Sequence, residues 1–203
     1  MMRYMTQTWN SILDYWFGKP EATQSYLDER NDLWFGGADT TDEFIRANFA
    51  KEIEAASRGQ LKAWESEPES CLALIVLLDQ FSMNIERDTR RCYERSALAI
   101  PIAEKAIERG FDKKVHFVKR SFFYLPFEHS ESMDDQRKAV ELFQKLIQDF
   151  PTELRGTAES FHRYAILHLE VVEKYGRFPG RNDVFGRTST AEEKKYLDDG
   201  GWF

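Results

Sequence analysis

Eight consecutive residues, Cys71 to Leu78, are apolar, and no longer apolar run occurs in the chain. A segment that is hydrophobic on every face must be surrounded by other elements, so this run dictates a core built around it. It is far too short to cross a bilayer. A buried strand competes with a buried helix here. The flanks decide for the helix: Glu67-Pro68-Glu69-Ser70 puts a proline at a first helical position, and polar residues return at Asp79-Gln80.

The rest of the chain also reads as helices. Ala139, Leu142, Phe143, Leu146, Ile147 and Phe150 follow one helical stripe. Phe161, Tyr164, Ala165, His168, Leu169 and Val172 repeat it after a boundary at Pro151-Thr152. Phe44, Ala47, Asn48 and Phe49 belong to a helix opened by Thr40 or Thr41, with a capping box from Thr40 to Glu43. A further helix starts near Asp88 or Thr89 and ends at Arg109 before Gly110, with Pro101 inside it. Another runs from Lys113 to Leu125 and stops at Pro126. Ser132 to Asp135 and Thr190 to Glu193 are two more capping boxes. No segment alternates long enough to make a sheet. Short loops between helices predict a single all-α domain of stacked antiparallel helical hairpins over residues 1–203, arranged as a tetratricopeptide-like superhelix without a clean repeat.

Composition narrows the function classes. The chain has 203 residues, 42% hydrophobic, with a net charge of −7. That supports one sizeable core and argues against nucleic acid or an anionic membrane as partner. The segment Met1-Met2-Arg3-Tyr4-Met5-Thr6-Gln7 lacks the apolar stretch of a secretory signal. Cys71 and Cys92 lie in helical stretches without metal spacing, which predicts two reduced thiols in a cytoplasmic protein. Glu159 and His162 form one Glu-x-x-His pair, and a di-iron bundle needs two pairs plus further glutamates, so no metal or cofactor is expected. No phosphate-cradling glycine loop, nucleophile elbow, Cys-x-x-Cys or His-Glu-x-x-His occurs.

Four sets of polar residues need partners. Asp79 and Gln80 close the most apolar helix, and Gln80, Asn84 and Arg87 share a face if that helix continues. Glu128-His129-Ser130-Glu131 crowds acids and a histidine into one turn, with His129 able to serve as acid or base. His168 sits in an apolar stripe, as a satisfied core histidine or a ligand. Between Arg177 and Arg187 three arginines, Arg177, Arg181 and Arg187, face one acid, Asp183, in an arm stiffened by Pro179 and containing Asn182. They suit a planar anion held bidentately, or internal carboxylates such as Asp79 and Glu131. Trp16 and Trp34 lie among the aromatics that crowd the N-terminal third. A core role is expected for these aromatics, and Trp34-Phe35 beside Gly36-Gly37 is the exception to watch.

In chain order, Tyr15-Trp16-Phe17-Gly18, Trp34-Phe35, Leu77-Leu78-Asp79-Gln80-Phe81, Leu125-Pro126-Phe127-Glu128-His129-Ser130-Glu131 and Gly176-Arg177-Phe178-Pro179-x-Arg181-Asn182 resemble the family called domain of unknown function 924. The resemblance covers nearly the whole chain. It implies an all-helical, tetratricopeptide-like fold and no particular reaction. It points to Asp79, Gln80, Asn84, Arg87, Glu128, His129, Glu131, Arg177, Arg181, Asn182 and Arg187. The chain departs from the family pattern where Ser82-Met83 replaces Pro-Arg, Gly180 a common histidine, and Ser96 an aspartate.

The expected architecture folds the C-terminal arm over the end of the Cys71–Leu78 helix, bringing Arg177 and Arg181 near Asp79 and the Glu128–Glu131 turn. The first functional reading is a binding or scaffold module with an arginine-lined pocket for a peptide or small anionic ligand. Arg177, Arg181 and Arg187 hold the anion, Asn182 and Gln80 set orientation, and Trp16 or Trp34 supplies apolar contact. The alternative is an enzyme using His129 with Glu131 or Asp79 as acid and base, with arginine clamps. A third reading makes every polar motif structural. An open cleft with a histidine bonded to a carboxylate favours the enzyme; a groove without a titratable cluster favours the binding module.

Overall fold

The computed structural model describes residues 8–87 and 89–201, and among them every regular element is helical. Met1–Gln7 and Asp88 lie outside the described residues. The apolar run forms helix α4, Pro68–Val76, with Pro68 in its first turn and each residue from Ser70 to Val76 buried. Around it stand α1 (Trp9–Phe17), α6 (Arg90–Glu108) and α7 (Phe117–Glu128), while α3 (Asp39–Ser57) packs on Leu77–Phe81 just beyond its end. Helices α8 (Met133–Leu146) and α9 (Arg155–Tyr175) continue the array, α8 packing on both α7 and α9. Helix α2 (Gln24–Phe35) hangs beside α1. The short helices α5 (Ser82–Ile85), α10 (Asn182–Phe185) and α11 (Ala191–Asp198) complete the fold.

Helix α4 does not continue as a regular helix. Leu77–Phe81 forms one π-helical turn that leads into α5, and Ser82 Oγ donates to the Leu77 carbonyl at 3.0 Å. A π turn inserts one residue and rotates the chain beyond it. Gln80, Asn84 and Arg87 therefore do not act as one face. Gln80 is buried against Asp79, while Asn84 and Arg87 both reach Asp42 of α3.

The core is aromatic. Phe122 of α7 meets Phe17 at 4.9 Å and Trp34 at 5.0 Å between ring centroids, both edge-on, and Trp16 lies edge-on to Phe81 at 5.2 Å. Such pairs add about 0.5–1.5 kcal/mol each beyond burial. Helix α2 is held to the end of α1 by two polar tips: Tyr26 Oη donates to the Phe17 carbonyl and Trp34 Nε1 to the Trp16 carbonyl, each at 2.8 Å. A second, smaller cluster of Val171, Val172 and Phe178 seats the C-terminal arm.

Several boundaries differ from expectation. Helix α3 begins at Asp39 behind Ala38, so Thr40 and Thr41 are inside it and no capping box forms there. Helix α7 begins at Phe117 and passes through Pro126 to Glu128. Proline in a last turn forfeits one hydrogen bond, and burial of the surrounding Phe122, Phe123, Tyr124 and Phe127 outweighs that local cost. Thr190 and Glu193 form the full reciprocal capping box of α11, whereas Ser132 caps Asp135 in one direction only, because Asp135 accepts from Ser130 instead. Cys71 and Cys92 are buried free thiols. No helix among the described residues is long and apolar enough to cross a membrane.

Truncating Phe122 to alanine removes the ring on which α1, α2 and α7 converge. We expect a loss of about 3–5 kcal/mol in urea unfolding, against about 1–2 kcal/mol for Phe44→Ala, whose ring is 44% exposed and stacks on Tyr15.

Candidate functional site

The π turn aims Asp79 into the protein with no solvent contact. A carboxylate in such a place needs several donors. Asp79 Oδ1 accepts from Ser96 Oγ at 2.5 Å and faces His129 Nδ1 at 2.8 Å, and Oδ2 accepts from Gln80 Nε2 at 2.6 Å. Burial opposes its ionisation, but His129 and these donors outweigh burial and hold its pKa below the ordinary value. Burial likewise opposes charge on His129, and Asp79 outweighs it, raising that pKa. Each partner thus favours the charged form of the other across the 2.8 Å contact. Ser96 stands where the family resemblance implies an aspartate. A second acid would confront Asp79, whereas the serine donates to it.

His129 is fixed by more than Asp79. It follows the last residue of α7, and its carbonyl accepts from Arg181 Nη1 at 2.8 Å. The guanidinium of Arg181 is held between the Tyr93 and Phe178 rings, 4.3 Å from each centroid. Gln136, fully buried, donates to the carbonyls of Glu128 and Ser130, each at 2.6 Å. The end of α7 is thus satisfied by side chains from α8 and the arm.

Beside His129, Glu128 is buried with Oε1 at 3.2 Å from His168 Nδ1. Burial pushes its pKa up to about 7. Burial pushes His168 down to about 3, leaving it neutral, with Nδ1 also within 2.9 Å of the Tyr164 carbonyl. That carbonyl takes the ring proton. Glu128, His129 and His168 line the floor of a cleft of about 810 Å³ between α2 and α9. Trp34, Phe35, Phe143 and Phe161 wall it, and Met83, at a position where the resemblance implies an arginine, adds to the apolar wall. That volume suits a small ligand. A second depression, around Cys71 and Arg109, measures about 180 Å³ and contains none of these groups.

The remaining expected site residues are distributed differently. Glu131 accepts from Arg187 through both oxygens, at 2.8 and 2.7 Å, and from the Phe178 N–H at 2.9 Å. Arg177 grips Glu193 at 2.7 and 2.9 Å, and Asn182 donates to Ser189 and Glu193. Arg177 chiefly, with the α11 cap, holds Glu193 down at about 2. These arginines therefore close the arm on internal carboxylates, and the guanidinium on the cleft wall is that of Arg87, bound to Asp42. Trp16 is wholly buried, and Trp34 reaches the cleft. The cleft faces of α2 and of early α9, including Asp28, Thr157 and Ser160, went unmarked in the sequence, since no spacing ties them to residue 129.

Glu128 contributes a pH dependence of stability opposite in sign to that of His168 and Glu193, whose depressed values add stability as pH rises. The folded state keeps a proton that the unfolded chain releases near the ordinary 4.5, so Glu128 costs stability as pH rises from there to about 7 and adds no further change above it. Glu128→Gln removes this decline. In urea titrations its stability relative to wild type should rise by roughly 3 kcal/mol at most across that interval. An unchanged difference between the two proteins would rule out a protonated Glu128.

Among curated proteins nothing matches the chain. A solved structure with TM-score 0.80 is 35% identical over 95% of this chain and 97% of that chain; it is a protein of unknown function, ATU0120, from Agrobacterium tumefaciens. The arrangement of Asp79, His129 and the arginine-clamped arm comes from motifs spread over the same span that a family model matches, residues 12–201, and the chain belongs to that family, described as a bacterial protein of unknown function, DUF924.

Proposed function

We propose that the cleft is an acid–base site acting on a small molecule. The observation that carries this reading is His129, bonded through Nδ1 to Asp79 at 2.8 Å and sharing the cleft floor with Glu128. Asp79 fixes the ring's orientation and its Nδ1 proton, leaving Nε2 as the atom that meets a ligand. Glu128, poised near neutrality, exchanges a proton at the working pH. Arg181 positions His129 through its carbonyl. Glu131, the other acid close to His129 in the chain, is occupied by Arg187.

A second reading, a binding module for a small anionic ligand or a peptide, draws support from the aromatic walls and from Arg87 on the cleft wall. The proposal keeps the expected single domain and tetratricopeptide-like stacking, which the successive packing of α7, α8 and α9 supports.

The test is turnover of a panel of small esters, amides, lactones and phosphoesters by wild type, His129→Gln and Asp79→Asn. A substrate whose turnover shows a bell-shaped pH profile and falls about 10²–10⁴-fold in His129→Gln supports the acid–base reading. Turnover that survives His129→Gln sinks it. Saturable thermal stabilisation by panel compounds without turnover transfers the cleft to the binding reading.

A further inference from the structure

The charges beneath the cleft do not balance. Asp79 and His129 form one pair. Arg181 faces the carbonyl of His129 and two rings, and it has no carboxylate in ion-pair contact among the described residues. An arginine stays charged when buried. The nearby arm arginines are matched, Arg187 by Glu131 and Arg177 by Glu193, and on the cleft wall Arg87 is matched by Asp42. The charged and titratable groups acting on Glu128 are its neighbour His129, Asp79 from the π turn, and His168 from α9 at 3.2 Å; Arg181 lies behind the His129 carbonyl. Asp28 and Glu153 stand on the solvated rim, where water and salt screen them. With Asp79 and His129 charged as a pair, a protonated Glu128 leaves the guanidinium of Arg181, behind the His129 carbonyl, as the charge without a partner carboxylate, and an ionised Glu128 offsets it.

The walls specify the rest of the ligand. They present Trp34, Phe35, Phe143 and Phe161; the polar residues Gln24, Asp28, Asn31 and Glu153 of the lining are exposed, and its buried hydrogen-bonding groups are Glu128 and His168, with His129 beside them. A ligand that suits this carries one negative charge at one end and an apolar body behind it. A phosphate dianion would need a second unpaired cation on the floor, and the wall guanidinium of Arg87 is held through two contacts by Asp42.

We infer that the cleft takes a monocarboxylic acid with an apolar or aromatic body, its carboxylate set against His129 Nε2 and the Glu128 carboxyl, and that one proton from solvent enters with it. The inference rests on the cleft being the ligand site, and it holds whether the acid is bound only or is the substrate or product of a reaction. Glu128 in its acid form donates to the bound carboxylate, and two facing carboxylates without that proton would repel. No covalent bond changes: the proton comes to rest on Glu128. The ordinarily unfavourable burial of this acid, which keeps it protonated up to about pH 7, becomes the device that admits an anion.

The experiment is isothermal titration calorimetry of the full chain with 3-phenylpropionate and with its neutral amide, in buffers of different ionisation enthalpy, from about pH 6 to pH 8.5. Ser160→Trp, which fills the cleft from α9, and Glu128→Gln are measured alongside, each first checked for a wild-type melt. We expect the acid to bind at least about tenfold more tightly than the amide. Its Kd should rise by about tenfold per pH unit above pH 7, with close to one proton taken up. Binding should be lost in Ser160→Trp, and proton uptake should be lost in Glu128→Gln. Equal binding of acid and amide, binding without proton uptake at high pH, uptake that persists in Glu128→Gln, or no binding of either compound overturns the inference. Binding undiminished in Ser160→Trp overturns the cleft as its location. The acid–base reading is judged separately by turnover, so an amide that binds in the cleft leaves that reading standing while removing this one.

Discussion

A single carboxylate buried without water sets the terms for the centre of this protein. An isolated charge in such surroundings costs many kcal/mol, and even a paired one is stable only if its remaining lone pairs are filled. Asp79 meets that requirement with Gln80, Ser96 and His129. Each partner lies on a different part of the chain, so the ion's demand for donors becomes a demand on helix positions. The π turn rotates Asp79 inward at the one point where α4 stops being wholly apolar. Helix α6 must then present Ser96, and α7 must end where it does for His129 to arrive.

The C-terminal arm obeys the same logic one layer out. Bidentate guanidinium–carboxylate pairs fix orientation as well as distance. Glu131 and Glu193 use that geometry to anchor Arg187 and Arg177, and the anchored arm carries Arg181 to the carbonyl of His129. An arm that looks like a ligand clamp is a brace for the histidine. In the proposed reading its influence passes through the placement of one imidazole, whose carbonyl Arg181 holds.

The helical class was readable because 3.6-residue patterns and the all-apolar run leave few alternatives, and the Pro68 start and the Thr190–Glu193 cap are local rules that hold. Local rules failed where tertiary burial overrode them. Pro126 ends a helix by itself but not inside a shell of buried aromatics, and the register after Leu77 changed because one extra residue in a π turn leaves no mark in composition. Asp79, His129 and the arm were identifiable as polar residues in need of partners. Which arginine met which acid was not, since Asp79, Glu131, Glu193 and the His129 carbonyl are all acceptors and spacing does not rank them. The walls of the cleft were invisible for the same reason: α2 and α9 meet there only after the chain has folded.

The separations along the chain have a kinetic meaning. His129 lies 50 residues from Asp79, Arg181 lies 52 residues from His129, and Arg187 lies 56 residues from Glu131. Local helical contacts form early, and closing loops of this length carries an entropy cost that the late, packed state must recover. The cleft floor therefore exists only when three distant stretches have closed on one another, and no fragment confined to one of them can reproduce it. In the proposed reading, possession of a competent floor is in itself a readout of completed folding.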